Sequence, residues 1–116
     1  MTRELKIWGE RWLIRKDSTH AVSYLDVKGG YRCSWHSHAT KYNLFVVLTG
    51  HFQLVIEEME EKVLIDLSPG ESFTIKPGQF HEFRGLKDSQ VIEEMYVEYD
   101  EADINRAPGK LGGKIK

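Results

Sequence analysis

The chain has 116 residues, with 16 Lys and Arg against 18 Asp and Glu, five His and a single Cys. That length fits one domain around one core, and the net charge of −2, with basic residues scattered among acids, argues against a nucleic-acid partner. The lone Cys33 leaves no internal disulfide and points to a reducing, cytoplasmic setting, while the lack of any apolar run of about 18 residues leaves no membrane-spanning helix and no membrane partner.

Residues Met1 to Lys6 are charged and lead into no apolar segment, so no secretory signal is expected. Short strand-like runs then follow one another along the chain: Trp12 to Arg15, Ala21 to Val27, Tyr31 to His38, Tyr42 to Leu48 and Phe52 to Glu57. Val63 to Leu67, Ser72 to Ile75, His81 to Arg84 and Val91 to Tyr99 continue the series. Turn residues separate them at Gly29-Gly30, Thr49-Gly50, Pro69-Gly70, Pro77-Gly78 and Gly85. Many short strands at near-regular spacing, without a convincing helical period, predict an all-β sandwich or barrel. The acidic stretch Glu57 to Lys62 reads as a hairpin end. A single domain is expected over residues 1–100, followed by a Gly- and Lys-containing tail over 101–116, extended or partly disordered.

Leu44-Phe45-Val46-Val47-Leu48 is apolar on both faces. One face can fill a barrel interior, but the other needs a second cover, which predicts a homodimer. The pair His36 and His38 stands one residue apart within a strand-like run, so both imidazoles project from the same face. Two neutral rings that close can share one divalent cation, although on spacing alone paired surface histidines are the commoner explanation.

The surrounding spacing is more specific. Gly30 precedes His36 by five intervening residues, and Asn43 and Gly50 follow His38 at fixed intervals. Downstream, Gly70 leads to Lys76-Pro77-Gly78 and then His81. Across Gly30 to Gly85, about half the chain, this pattern resembles the two motifs of the cupin family. The resemblance implies an all-β double-stranded β-helix, or jelly-roll barrel, with His36, His38 and His81 as imidazole ligands of a metal inside it. The family's glutamate ligand falls at Asn43, the first proline of its second motif at Lys76, and its final asparagine at Gly85. Asn43 at the glutamate position offers a neutral oxygen where the family has a carboxylate, which lowers the expected metal affinity. Iron, zinc, nickel or manganese would each suit three nitrogens and an open hemisphere.

Strand parity counted through Tyr31 to His38 puts Arg32 and Ser34 with His36 and turns Cys33 and Trp35 away. Arg32 is then a candidate anion clamp. Phe45 and Phe83 share parity with Asn43 and His81 and are expected to line the pocket, while Lys41 is expected at the barrel mouth. Glu94 and Tyr96 on the last long strand are the candidate catalytic groups, and an inward Glu94 would replace the missing carboxylate. The segment Tyr42 to Gly50, the Pro-Gly-x-x-His stretch and the run Tyr99 to Arg106 are similar to mannose-6-phosphate-isomerase-type cupins. The function so implied is a metal-binding single-domain cupin that acts on or binds a sugar phosphate or other small anionic metabolite. A non-catalytic small-molecule binding module and a three-histidine iron dioxygenase are the alternatives.

Overall fold

Alternating apolar residues bounded by Gly and Pro become antiparallel strands throughout. The computed structural model describes residues 1–96, 104–109 and 111–115, and none of these is helical. In chain order the strands are β1 (Thr2–Lys6), β2 (Gly9–Lys16), β3 (His20–Val27), β4 (Tyr31–Arg32), β5 (His36–Ser37), β6 (Tyr42–Thr49) and β7 (Phe52–Glu58). They continue as β8 (Glu61–Leu67), β9 (Ser72–Ile75), β10 (His81–Gly85), β11 (Ser89–Tyr96), β12 (Asn105–Arg106) and β13 (Gly113–Lys114). One sheet runs β1-β2-β3-β11-β6-β9. The other is built around β10, with β7 and then β8 along one side and the short β4 and β5 along the other, flanked by β13 and β12. Two facing sheets of this kind make an all-β jelly roll.

Inward-facing side chains of both sheets meet in one cluster that includes Leu25, Val47, Leu54, Ile56 and Val91. At its centre Phe45, Phe52 and Phe83 lie with ring centroids 5.4 to 6.0 Å apart. Trp8 meets Phe83 edge-on at 4.8 Å. Such ring pairs contribute about 0.5–1.5 kcal/mol each beyond the area they bury. The acidic stretch closes the β7–β8 hairpin as expected, with both loop residues, Met59 and Glu60, at positive φ (51° and 66°). Two left-handed loop residues give the turn whose twist matches that of the strands.

The structure adds three features to the sequence reading. Thr2–Lys6 is a strand, although its charged residues carry no apolar alternation, because as a sheet edge it is solvated on most sides. The tail supplies β12, pairing with β5, and β13, pairing with β4. The run Tyr31 to His38 is interrupted, forming two short strands with irregular backbone between them. The last long strand is described to Tyr96; Val97, Glu98 and Tyr99, and the expected boundary at residue 100, lie outside the described residues.

The outer face of the six-stranded sheet carries an apolar stripe across its middle strands. The register aligns Trp12, Tyr24, Ile92 and Val46 across four strands, all of them half-buried, and Leu48 is exposed.

Candidate metal centre

The three histidines arrive from two strands and a connecting segment. His36 starts β5 and pairs across to His81, the first residue of β10. His38 follows β5 directly. The turn that delivers His81 depends on Gly78 at φ 79°, a left-handed conformation suited to glycine, whose N–H bonds the His38 carbonyl at 2.7 Å. That backbone bond ties the second histidine to the turn before the third.

Ring centroids of the three imidazoles lie 4.5 to 5.4 Å apart. One nitrogen from each lies within 4.8 Å of the others, the only such group of three or more metal-ligating side chains among the described residues. His38 and His81 are buried and His36 nearly so. His81 Nδ1 lies 2.9 Å from the Gln79 carbonyl and His36 Nδ1 lies 2.7 Å from the Ser34 carbonyl. A carbonyl only accepts, so in the neutral rings Nδ1 carries the proton and Nε2 keeps its lone pair. This is the outer hydrogen bonding that orients metal-binding imidazoles. His81 Nε2 is buried with no hydrogen-bond partner among the described residues.

Burial, followed by the neighbouring His81 and His38, pushes the His36 pKa down to about 2. Burial lowers that of His81 to about 4, with His38 and Lys41 adding to the effect. At neutral pH both rings are therefore deprotonated before any cation arrives. Three converging nitrogen donors, two of them on rings held neutral and one with an orphaned buried lone pair, fit a divalent metal, which would act as a Lewis acid there.

His36 and His38 line a cavity of about 810 Å³. Cys33, Ser34, Lys41, Asn43, Phe83, Glu93 and Met95 also line it, with β1 residues and Ile104, Arg106 and Leu111 from the tail. Five cationic side chains (Lys6, Arg11, Lys16, Lys41, Arg106) and two carboxylates (Glu4, Glu93) stand on the described lining.

The sequence-predicted residues divide accordingly. Asn43 is fully buried on the cavity wall, and Phe83 lines it. Phe45 lies deeper, in the packed cluster. Arg32 pairs with Arg84 and Gly113 through its backbone and is not among the lining residues. Glu94 and Tyr96 take the opposite parity from the lining residues Glu93 and Met95; Tyr96 stacks on Tyr42 at 5.2 Å, on the other face of the sheet. The inward acid of β11 is Glu93. Cys33 faces in rather than away, because the irregular backbone after Arg32 breaks the two-residue period. Its Sγ accepts the Phe83 N–H at 3.1 Å, and burial pushes its thiol pKa up, so it stays protonated. Lys41 is buried at 4 % exposure, not at a solvated mouth. Glu93 and Arg106 are thus among the lining groups that sequence parity did not find.

A family model for the cupin domain matches residues 23–93, more than half of the chain, and the chain belongs to the cupin family. Among solved structures it is similar to KdgF from Halomonas sp., at 24% identity and a TM-score of 0.69, over 79% of this chain and 81% of that one. It is also similar to oxalate decarboxylase from Bacillus subtilis at pH 4.6, at 14% identity and a TM-score of 0.76 over 90% of this chain and 29% of that one. The capsular polysaccharide assembling protein CapF from Staphylococcus aureus matches at 21% identity and a TM-score of 0.72, over 90% of this chain and 32% of its own. This chain therefore spans about a third of the length of the latter two, and all three likenesses are of fold. No curated protein matches.

Proposed function

We propose that this chain is a metal-dependent cupin that takes a small anionic metabolite, with a sugar phosphate as the leading class, into its barrel. The observation that carries the reading is the buried triad of imidazoles, one nitrogen of each within 4.8 Å of the others, two of which, His36 and His38, stand on the wall of a cavity lined by more cations than acids. A sugar-sized anion fits a cavity of about 810 Å³. Iron, zinc, nickel or manganese would each suit the donor set. If the protein turns substrate over, isomerisation or epimerisation is the preferred chemistry: a carbonyl polarised at the metal and a proton moved by a nearby group. Glu93 and Lys41 stand on the cavity wall for that role in place of Glu94 and Tyr96.

The carboxylate-free set of three histidines also favours a second reading, an iron dioxygenase. Conversion of ketose or aldose phosphates by the metal-loaded protein, lost in His38→Ala, supports isomerisation. Oxygen uptake with small thiols or diketones and no conversion of sugar phosphates supports the second reading. Thermal stabilisation by sugar phosphates with no turnover leaves a binding module. We also propose that two copies pair through the outer face around Trp12, Tyr24, Ile92 and Val46, in the cytoplasm; sedimentation at micromolar concentration tests the dimer.

A further inference from the structure

Asn43 stands where the resembling motif has a glutamate, and its surroundings show how an amide is held there. Its Nδ2 donates to Glu93 Oε2 at 2.8 Å, across the β6–β11 pair. An ionised carboxylate cannot donate, so the nitrogen end of the amide must face Glu93 and the carbonyl end must face elsewhere. That carbonyl oxygen, Asn43 Oδ1, is buried and has no hydrogen-bond partner among the described residues. A second buried acceptor without a hydrogen-bond partner among the described residues is His81 Nε2, in the cluster with His36 and His38, which share the cavity wall with Asn43. A buried carbonyl and a buried imidazole nitrogen, both acceptors, cannot satisfy one another; a cation satisfies both.

We propose that Glu93 is a positioning residue that locks the Asn43 amide so that Oδ1 serves as a neutral oxygen ligand beside His36, His38 and His81. The carboxylate thereby stays outside the ligand set: Glu93 lines the cavity but does not belong to the group of converging donors. The donor set is then neutral throughout and leaves the full charge of a divalent cation uncompensated. Its open positions favour an anionic oxygen ligand more strongly than a set containing a carboxylate would. This inference rests on the metal reading above and specifies how that site is tuned.

The test titrates metal-free protein with Co(II) against a chromophoric chelator and follows the visible Co(II) absorption bands. Wild type is expected to bind one equivalent. Glu93→Gln, which can offer its own amide hydrogens to Oδ1 and turn the Asn43 amide over, is expected to bind about 10-fold more weakly, with altered bands. The double variant Asn43→Glu with Glu93→Gln exchanges the two groups, puts a carboxylate beside the histidines and is expected to bind at least as tightly as wild type. Unchanged affinity and spectrum in Glu93→Gln, with wild type still binding, overturns the inference and leaves the metal reading standing. Wild type that binds no Co(II) overturns both. In wild type the Asn43 carboxamide carbon signal should move on saturation with Zn(II); a stationary signal also overturns the inference, independently of how the variants fold.

Discussion

The two ends of the barrel are built from the same strands with the same inward parity, yet they do opposite things. On β6 the inward residues run Asn43, Phe45, Val47; on β10 they run His81, Phe83; on β11 they run Glu93, Val91. One step along each strand changes a polar group into one packed in the apolar cluster. The apolar end holds Phe45, Phe52 and Phe83 in mutual contact, and the polar end holds the histidine cluster, with His36, His38, Asn43 and Glu93 around open volume. The contrast teaches that stability and site chemistry are separated along the strands rather than assigned to different elements. A side chain can be altered at one end with little effect on the other.

The largest break in that comparison comes from the packed end. Phe52→Ala removes a fully buried ring from the aromatic trio and should cost about 3–5 kcal/mol in urea unfolding. Acid acts on the polar end. In the fold His36 and His81 titrate near pH 2 and 4, whereas in the unfolded chain both titrate near 6.5. Above pH 6.5 neither state binds these protons and the two rings add no pH dependence. As pH falls below 6.5 the unfolded chain takes protons that the fold excludes, so the metal-free protein loses stability. The expected slope approaches about 1.4 kcal/mol per pH unit for each ring, continuing until His81 charges near pH 4. Unfolding of wild type and the His36→Ala, His81→Ala double variant from pH 7 to 5 measures this; equal slopes would contradict it. The smallest effect is His81→Ala at neutral pH, which removes an orphaned buried acceptor but also the Nδ1 donor of the Gln79 carbonyl, and should change stability by about 1–2 kcal/mol.

The same division governs what the sequence makes legible. The barrel and its three imidazoles are readable because the spacings around His36, His38 and Pro77-Gly78-x-x-His81 match the two cupin motifs; strand period alone groups only His36 with His38. The acid of β11 is not readable: Val91-Ile92-Glu93-Glu94-Met95-Tyr96 places an apolar or acidic residue on each face in turn, so the phase of the alternation is lost. Only the pairing of β11 with β3 and β6 shows that Glu93, not Glu94, points inward. Counting through Tyr31 to His38 fails for Cys33 because the strand breaks between Arg32 and His36. The lining contributed by Arg106 depends on a tail strand whose partner, β5, lies about seventy residues earlier. No local pattern encodes such a pairing.

Metal content of freshly purified protein, measured by mass spectrometry and by Zn(II) calorimetry on the metal-free form, bears most directly on the convergence of His36, His38 and His81. Stoichiometric metal in wild type, lost in both His36→Ala and His81→Ala while each stays folded, is the predicted result. Stoichiometric metal retained when both rings are removed together, or a folded wild type that binds none, would contradict it.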